Sequence, residues 1–502
     1  MPLYLNALAM SKIPDEIKAV ERPKSTVVKQ YGDRYLVIKR TSKRVNGKPR
    51  PVDLGTIGEI IDGKYVEIRK EPRRQSSKRK VDVKDYGQFA LCNRSAGNLF
   101  QKLAGVFDIK TAKQLYMIAL LRAANPGIRN RDIQMAYETS WASEVYAGVP
   151  LSENVISNLL LNVGMEYSLI VKFMRERVTD LAGKRVVIDG VLKDNNSVTN
   201  SFSEYSRKAR TKGSEDISML YAYDLETQEP VAVKVYPGNM LDLTSLESFI
   251  SEMMFRENTL IFDKGFFSRE VFERLDKMEG LEYIAPLKQS NKIIDEYGML
   301  NDICTPLKGY ADGTVLYKKA KTEDGMFLYA YRDPQMAADQ EVGYIVHGTG
   351  KGTFSEDRLK GKRKEFGTIV FMSKADMAPL DVYMAYKSRW DIECMFDMYK
   401  NIIELDTVNV QGDYRLYATE FINYLSTIIT ARVRRTIYST KIVVSETKSG
   451  VKKTKPANEL YSYKQIFHYL SKCKKVRVDV NGLWIDNQRL KYVDRICSAL
   501  GV

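Results

Sequence analysis

Arg185-Val-Val-Ile-Asp189 carries a short apolar run that ends in an acid, and Thr259-Leu-Ile-Phe-Asp263 repeats the pattern further along the chain. Runs of this length without helical periodicity read as buried strands. Between them, Ile217–Tyr223 reads as a second strand, Asp224–Gln228 as a turn and Val231–Tyr236 as a third strand. Pro237-Gly238-Asn239 breaks that strand, and Leu243–Met254 has the spacing of an amphipathic helix. The expected order is β-β-β-α-β, with acids at the ends of the first and fourth strands.

That order fits an α/β fold with a ribonuclease-H-like core: three antiparallel strands, then a crossover helix into a parallel strand. Working outward, residues 266–380 read as a largely β insertion, with strands at Leu281–Ala285, Met326–Tyr331 and Gly367–Met372 and a basic loop from Lys351 to Lys364. Gly348-Thr-Gly-Lys-Gly-Thr353 resembles a phosphate loop but fails its spacing, because Ile345 stands at the first glycine and Gly352 at the Ser/Thr position. A flexible basic hairpin is expected there. Tyr386–Lys400 reads as one helix, and at roughly 100° per residue Tyr386, Arg389, Glu393 and Lys400 fall within an arc of about 60°. A helix is expected over Leu416–Tyr438, a flexible loop over Ser439–Pro456 and a small appendage from Glu459.

Toward the N-terminus, residues 24–70 read as a small sheet, with turn signals at Asn46-Gly47 and Asp62-Gly63. Residues 69–84 form a basic linker, either a solvated connector or a strap along phosphates. Residues 96–180 turn helical, with one helix ending before Asn125-Pro126-Gly127, another over Arg129–Glu138 and a third starting near Ser152. These suit a DNA-reading head or plain packing helices. The expected organisation is an N-terminal β-rich module and linker (1–84), a helical, DNA-binding region (85–182), a first core part (183–265), the insertion (266–380), a second core part (381–440) and a C-terminal appendage (441–502).

Composition narrows the chemistry. A formal charge of +15 over 502 residues favours a polyanionic partner, nucleic acid before an anionic membrane. No stretch has the apolar length of a membrane span, and the N-terminus lacks the pattern of a signal peptide. The five cysteines are scattered without a CxxC pair, as reduced thiols of a cytosolic protein would be. With only His347 and His468, paired-histidine and zinc chemistry is disfavoured. A metal would be held by oxygen, which points to Mg²⁺ or Mn²⁺. Asp189, Asp263 and Glu393 are the candidate ligands for two ions, with Asp397, about 40° from Glu393 on the helical projection, in competition. Singly, each acid has an ordinary reading as a turn residue, helix cap or solvated side chain. Their joint occurrence in this element order outweighs those readings.

Together these motifs resemble the IS4-like group of DDE transposases, and its IS1634-type relatives in particular. The Y-x2-R-x3-E-x6-K pattern of that group is complete at Tyr386, Arg389, Glu393 and Lys400, and Val186-Val-Ile-Asp-Gly190 and Ile261-Phe-Asp-Lys-Gly-Phe266 resemble its first two acid blocks. The resemblance covers about residues 184–402. It implies a metal-binding catalytic triad of Asp189, Asp263 and Glu393, with Tyr386, Arg389 and Lys400 contacting the DNA backbone near the scissile phosphate. It also implies Mg²⁺-dependent cleavage and strand transfer at terminal inverted repeats, a homodimer in a synaptic complex, no nucleotide cofactor and a cytoplasmic, nucleoid-associated location in a prokaryote. Some members stack a tryptophan of the insertion on a flipped base; here Trp141, Trp390 and Trp484 lie outside residues 266–380. Two rival readings are a ribonuclease-H-like nuclease without strand transfer and a catalytically silent DNA-binding protein.

Overall fold

The computed structural model describes residues 13–45, 47–68, 81–181, 183–205, 215–238, 243–262, 273–388, 390–397, 400, 402–403, 407–446, 452–479 and 482–502. The chain divides into two compact units, residues 1–79 and 80–502.

In the first unit, β1 (Thr26–Tyr31), β2 (Arg34–Val45), β3 (Lys48–Ile61) and β4 (Lys64–Glu67) form an antiparallel meander. Asp62 and Gly63 both take positive φ (48° and 73°), as a two-residue hairpin turn between twisted strands demands. Val28, Val37 and Ile60 make its small core. Of the expected linker, residues 69–80 lie outside the described residues. Residues 81–84 belong to β5 (Val81–Asp85), in the second unit.

The second unit is built on one mixed sheet. β6 (Arg185–Asn195) pairs antiparallel with β8 (Glu215–Asp224), beside the short β7 (Glu204–Tyr205), and β8 pairs antiparallel with β9 (Glu229–Pro237). The chain crosses through the Leu243–Met253 helix into β10 (Thr259–Phe262), parallel to β6, and then into β11 (Glu282–Pro286), parallel to β10. β8, β9 and β10 are almost wholly buried, because helices cover both faces. The Leu243–Met253 helix lies on the face of Lys234 and Tyr236, with the Tyr236 hydroxyl donating to the Ser245 carbonyl at 2.8 Å. On the other face, the Asp413–Ser439 helix is anchored to β6 through Lys193 and Glu420.

That central helix runs 27 residues, about 40 Å. Three of its buried hydroxyls are satisfied within the helix: Ser426, Thr427 and Thr430 each donate to the carbonyl four residues earlier, at 2.8–2.9 Å. Helices Gly87–Ala96, Ile109–Ala124 and Glu153–Met165 pack against it. The Ile109–Ala124 helix is buried at every position from Gln114 to Ala124, so it is a core helix and cannot lie in a DNA groove.

Several expectations need correction. The region read as a largely β insertion includes a 17-residue helix, Pro334–Gly350, and a second helix, Glu356–Lys362. Asp333 caps the first by accepting from the Gln335 and Met336 N–H groups, and Pro334 opens it. Gly348 and Gly350 close that helix, so the expected basic hairpin and loop are mostly helical. The region's strands β12 (Thr305–Pro306), β13 (Leu316–Lys321), β14 (Phe327–Arg332) and β15 (Thr368–Ser373) continue the main sheet through β15, which pairs antiparallel with β11. β16 (Thr407–Val408) adds to the far end of β6. The loop expected over Ser439–Pro456 is a ribbon of β17 (Lys441–Glu446) and β18 (Lys452–Pro456). The tail has the helices and strands expected of it, and β19 (Lys474–Val478) sits between β20 (Ile485–Asp486) and β5.

Candidate active site

Asp189 lies in the middle of β6 and not at its end as expected, because pairing with β8 carries the strand on past the acid to Asn195; it is half-buried, and one of its carboxylate oxygens accepts the Gly190 N–H at 2.7 Å. Its Cα partner on β8 is Tyr221, so both side chains project from the same face of the sheet. Lys193, four residues on, shares that face.

Glu393 lies on the Trp390–Asp397 helix, which packs against β6. Ile392 and Met395 are fully buried, and the Phe396 ring meets Tyr221 edge-on with centroids 5.9 Å apart. Phe396 therefore docks the helix on the residue opposite Asp189. Glu393 is exposed and lies only about 60° from Phe396 around the helix. Asp397, also exposed, is one turn further on. The fold thus brings the strand of Asp189 and the helix of Glu393 into contact. Asp263 lies outside the described residues. Its predecessor Phe262 is the β10 partner of Ile188, the residue before Asp189.

The single helix expected over Tyr386–Lys400 is two segments, Pro379–Lys387 and Trp390–Asp397. The first is capped at Ser388, whose N–H bonds the Met384 and Tyr386 carbonyls. Tyr386 belongs to the first segment and packs on Phe371 of β15, with centroids 4.6 Å apart. Arg389 lies outside the described residues, and Lys400 is half-buried beyond the second segment. Ser388 keeps right-handed helical angles (φ −67°, ψ −9°), and the residues that would carry the expected arc on to Lys400 include Arg389, outside the described residues.

Residues far away in sequence brace the loop beyond the far end of β6, and periodicity gave no sign of them. Beyond β6, the Gln411 side-chain oxygen accepts from Ser197 Oγ, the Val198 N–H and Thr199 Oγ1 at 2.9–3.2 Å. Asp413 accepts from the Ser201 N–H and hydroxyl at 2.7 Å. Four residues along β6 from Asp189, Lys193 donates to Glu420 at 2.6 Å with both side chains at most 2% exposed. Asn423 joins Glu420 at 3.2 Å. Lys193 was legible in principle, since strand alternation sets it on the face of Asp189.

The donor chemistry suits a hard cation. The acids offer carboxylate oxygens, while His347 and His468 lie on the Pro334–Gly350 and Tyr463–Leu470 helices, away from both acid-bearing elements. Among the described residues, no three Asp, Glu, His or Cys side chains gather into a metal-binding group.

Residues 184–417 match the family model for the transposase DDE domain. The match begins just before β6 and ends within the central helix, so it takes in both acid-bearing elements, and it supports a role in DNA transposition. No curated protein matches the chain. Among solved structures, a piggyBac transposase synaptic complex with hairpin DNA is similar at 11% identity and a TM-score of 0.38, over 78% of this chain and 82% of that one. Among the described residues, no helix is long and apolar enough to cross a membrane.

Proposed function

We propose that this chain is a DNA transposase that binds the terminal inverted repeats of an insertion sequence, cuts DNA at the ends and joins the freed 3′-hydroxyls to target DNA. The observation that carries the reading is the docking of the Glu393 helix, through Phe396, on the β8 residue opposite Asp189, inside the segment that matches the transposase domain. The strand order β9-β8-β6-β10-β11, with β6, β10 and β11 parallel, supports a ribonuclease-H-like core.

On this reading Asp189, Asp263 and Glu393 would hold two Mg²⁺ ions, for which Mn²⁺ could substitute, and the bound metal would supply activation of water or a 3′-hydroxyl and charge stabilisation of the leaving oxygen in an in-line displacement. The chain's own groups bind and orient. The Gly190 N–H fixes one oxygen of Asp189, and Phe396 holds the Glu393 helix on the sheet. Tyr386, Arg389 and Lys400 position the phosphate backbone, with the cations as charged donors. Two DNA ends held in one complex call for a homodimer.

Nicking and strand transfer on end-containing DNA with Mg²⁺ test the proposal. Asp189→Ala, Asp263→Ala and Glu393→Ala should each lower cleavage at least 10³-fold while leaving DNA binding intact. Wild-type cutting by all three variants overturns the triad. Nicking without joined products in the presence of target DNA favours the nuclease reading.

A further inference from the structure

The ribbon of β17 and β18 stands apart from the acid-bearing elements. Its root is anchored: Ile442 is 1% exposed, β17 touches the Lys491–Ala499 helix, and the Ala457 N–H donates to the Thr440 carbonyl at 2.9 Å. Beyond the root, Val444 and Ser445 on one strand and Lys452, Lys453, Thr454 and Lys455 on the other are all exposed. A lone two-stranded ribbon gains little from packing, so its sequence is released from the demands of a core.

The charge on it is mostly positive, with Glu446, across from Lys452, the one acid in its two strands. Lys441, Lys452, Lys453 and Lys455 are exposed, and none forms an ion pair among the described residues. Ser445 lies opposite Lys453 and Ile442 opposite Lys455, so those two cations face neutral partners across the ribbon. Strand alternation sets Lys453 and Lys455 on one face of β18 and Lys452 on the other, and on a ribbon two strands wide their long side chains can each reach a separate phosphate of a duplex carrying one charge per about 1.7 Å of axis. An isolated anion would engage one or two of them.

We infer that the β17–β18 ribbon is a DNA-backbone grip, in which Lys452, Lys453 and Lys455 bind duplex phosphates without reading sequence. This rests on the transposase reading and adds to it a surface in a segment that the family match does not include. The ribbon begins after Ser439, beyond the end of the central helix, and carries none of the three acids, so it acts on affinity and not on the chemical step.

The test compares the full chain with its Lys452→Gln/Lys453→Gln/Lys455→Gln variant on a fluorescein-labelled 40-base-pair duplex of random sequence, between 50 and 200 mM KCl. The slope of log Kd against log[KCl] should fall by about 2.7, at about 0.9 per lost phosphate contact. Affinity at 100 mM should drop about tenfold or more. The melting temperature, and the nicking rate at saturating DNA, should be unchanged. Equal affinities and slopes overturn the grip while leaving the transposase reading standing; failure of the wild-type chain to bind the duplex overturns both. A defect seen only on phosphatidylserine vesicles, with DNA binding intact, assigns the ribbon to an anionic membrane and also overturns the grip.

Discussion

At the scale of single residues, the strand that carries Asp189 is pinned by buried charge. Lys193 and Glu420 are at most 2% exposed and 2.6 Å apart, four residues along β6 from Asp189 on the same face. Such a pair is worth little against an apolar replacement of both partners, but removing one strands the other's charge. Lys193→Met should therefore destabilise the chain by about 3–5 kcal/mol, and Lys193→Met/Glu420→Leu should recover most of that loss. Urea unfolding of the two variants checks it; equal destabilisation would show that the charge is not what matters. Trp141 and Trp484 meet edge-on with centroids 5.3 Å apart, so these two tryptophans pack against each other.

At the scale of elements, the Trp390–Asp397 helix is the piece whose docking decides the chemistry. Phe396→Ala removes the edge-on contact with Tyr221 and should cost about 1–2 kcal/mol in stability. Because Glu393 rides on the same helix, nicking should fall further than folding, about tenfold or more at a temperature where the variant is fully folded. Unchanged nicking would detach this helix from the reaction.

At the scale of the whole second unit, one buried carboxylate ties the helices to the sheet. Glu229 of β9 is met by Arg177 of the Tyr167–Thr179 helix at 3.3 Å, and by Arg432 and Arg435 of the central helix at 2.9 and 3.1 Å. Burial pushes its carboxyl upward, but the hydrogen bond and charge of Arg432, with Arg177 and Arg435, outweigh that and hold it below the usual carboxylate range. A depressed folded-state value means stability that is fully present above the ordinary Glu range near 4.5 and lost as pH falls through the lower folded value. The native chain should accordingly lose stability more steeply below about pH 4.5 than a Glu229→Gln variant, whose unfolding midpoint should already be lower at pH 7. Parallel pH profiles would remove Glu229 from that role.

What the sequence determined by itself is whatever local pattern and composition carry. Apolar runs ended by acids marked β6 and β10, Asp62-Gly63 marked a hairpin turn, and the long apolar periodicity from Leu416 marked the central helix. These are short-range preferences of backbone and burial. The tertiary structure alone decided that Tyr221 stands opposite Asp189, that Phe396 docks there, that Gln411 clasps a loop more than two hundred residues earlier, and that the basic stretch after Ser439 pairs into a ribbon. Each depends on registry between segments distant in the chain. Registry is fixed by packing and by pairing of buried polar groups, which no local spacing encodes.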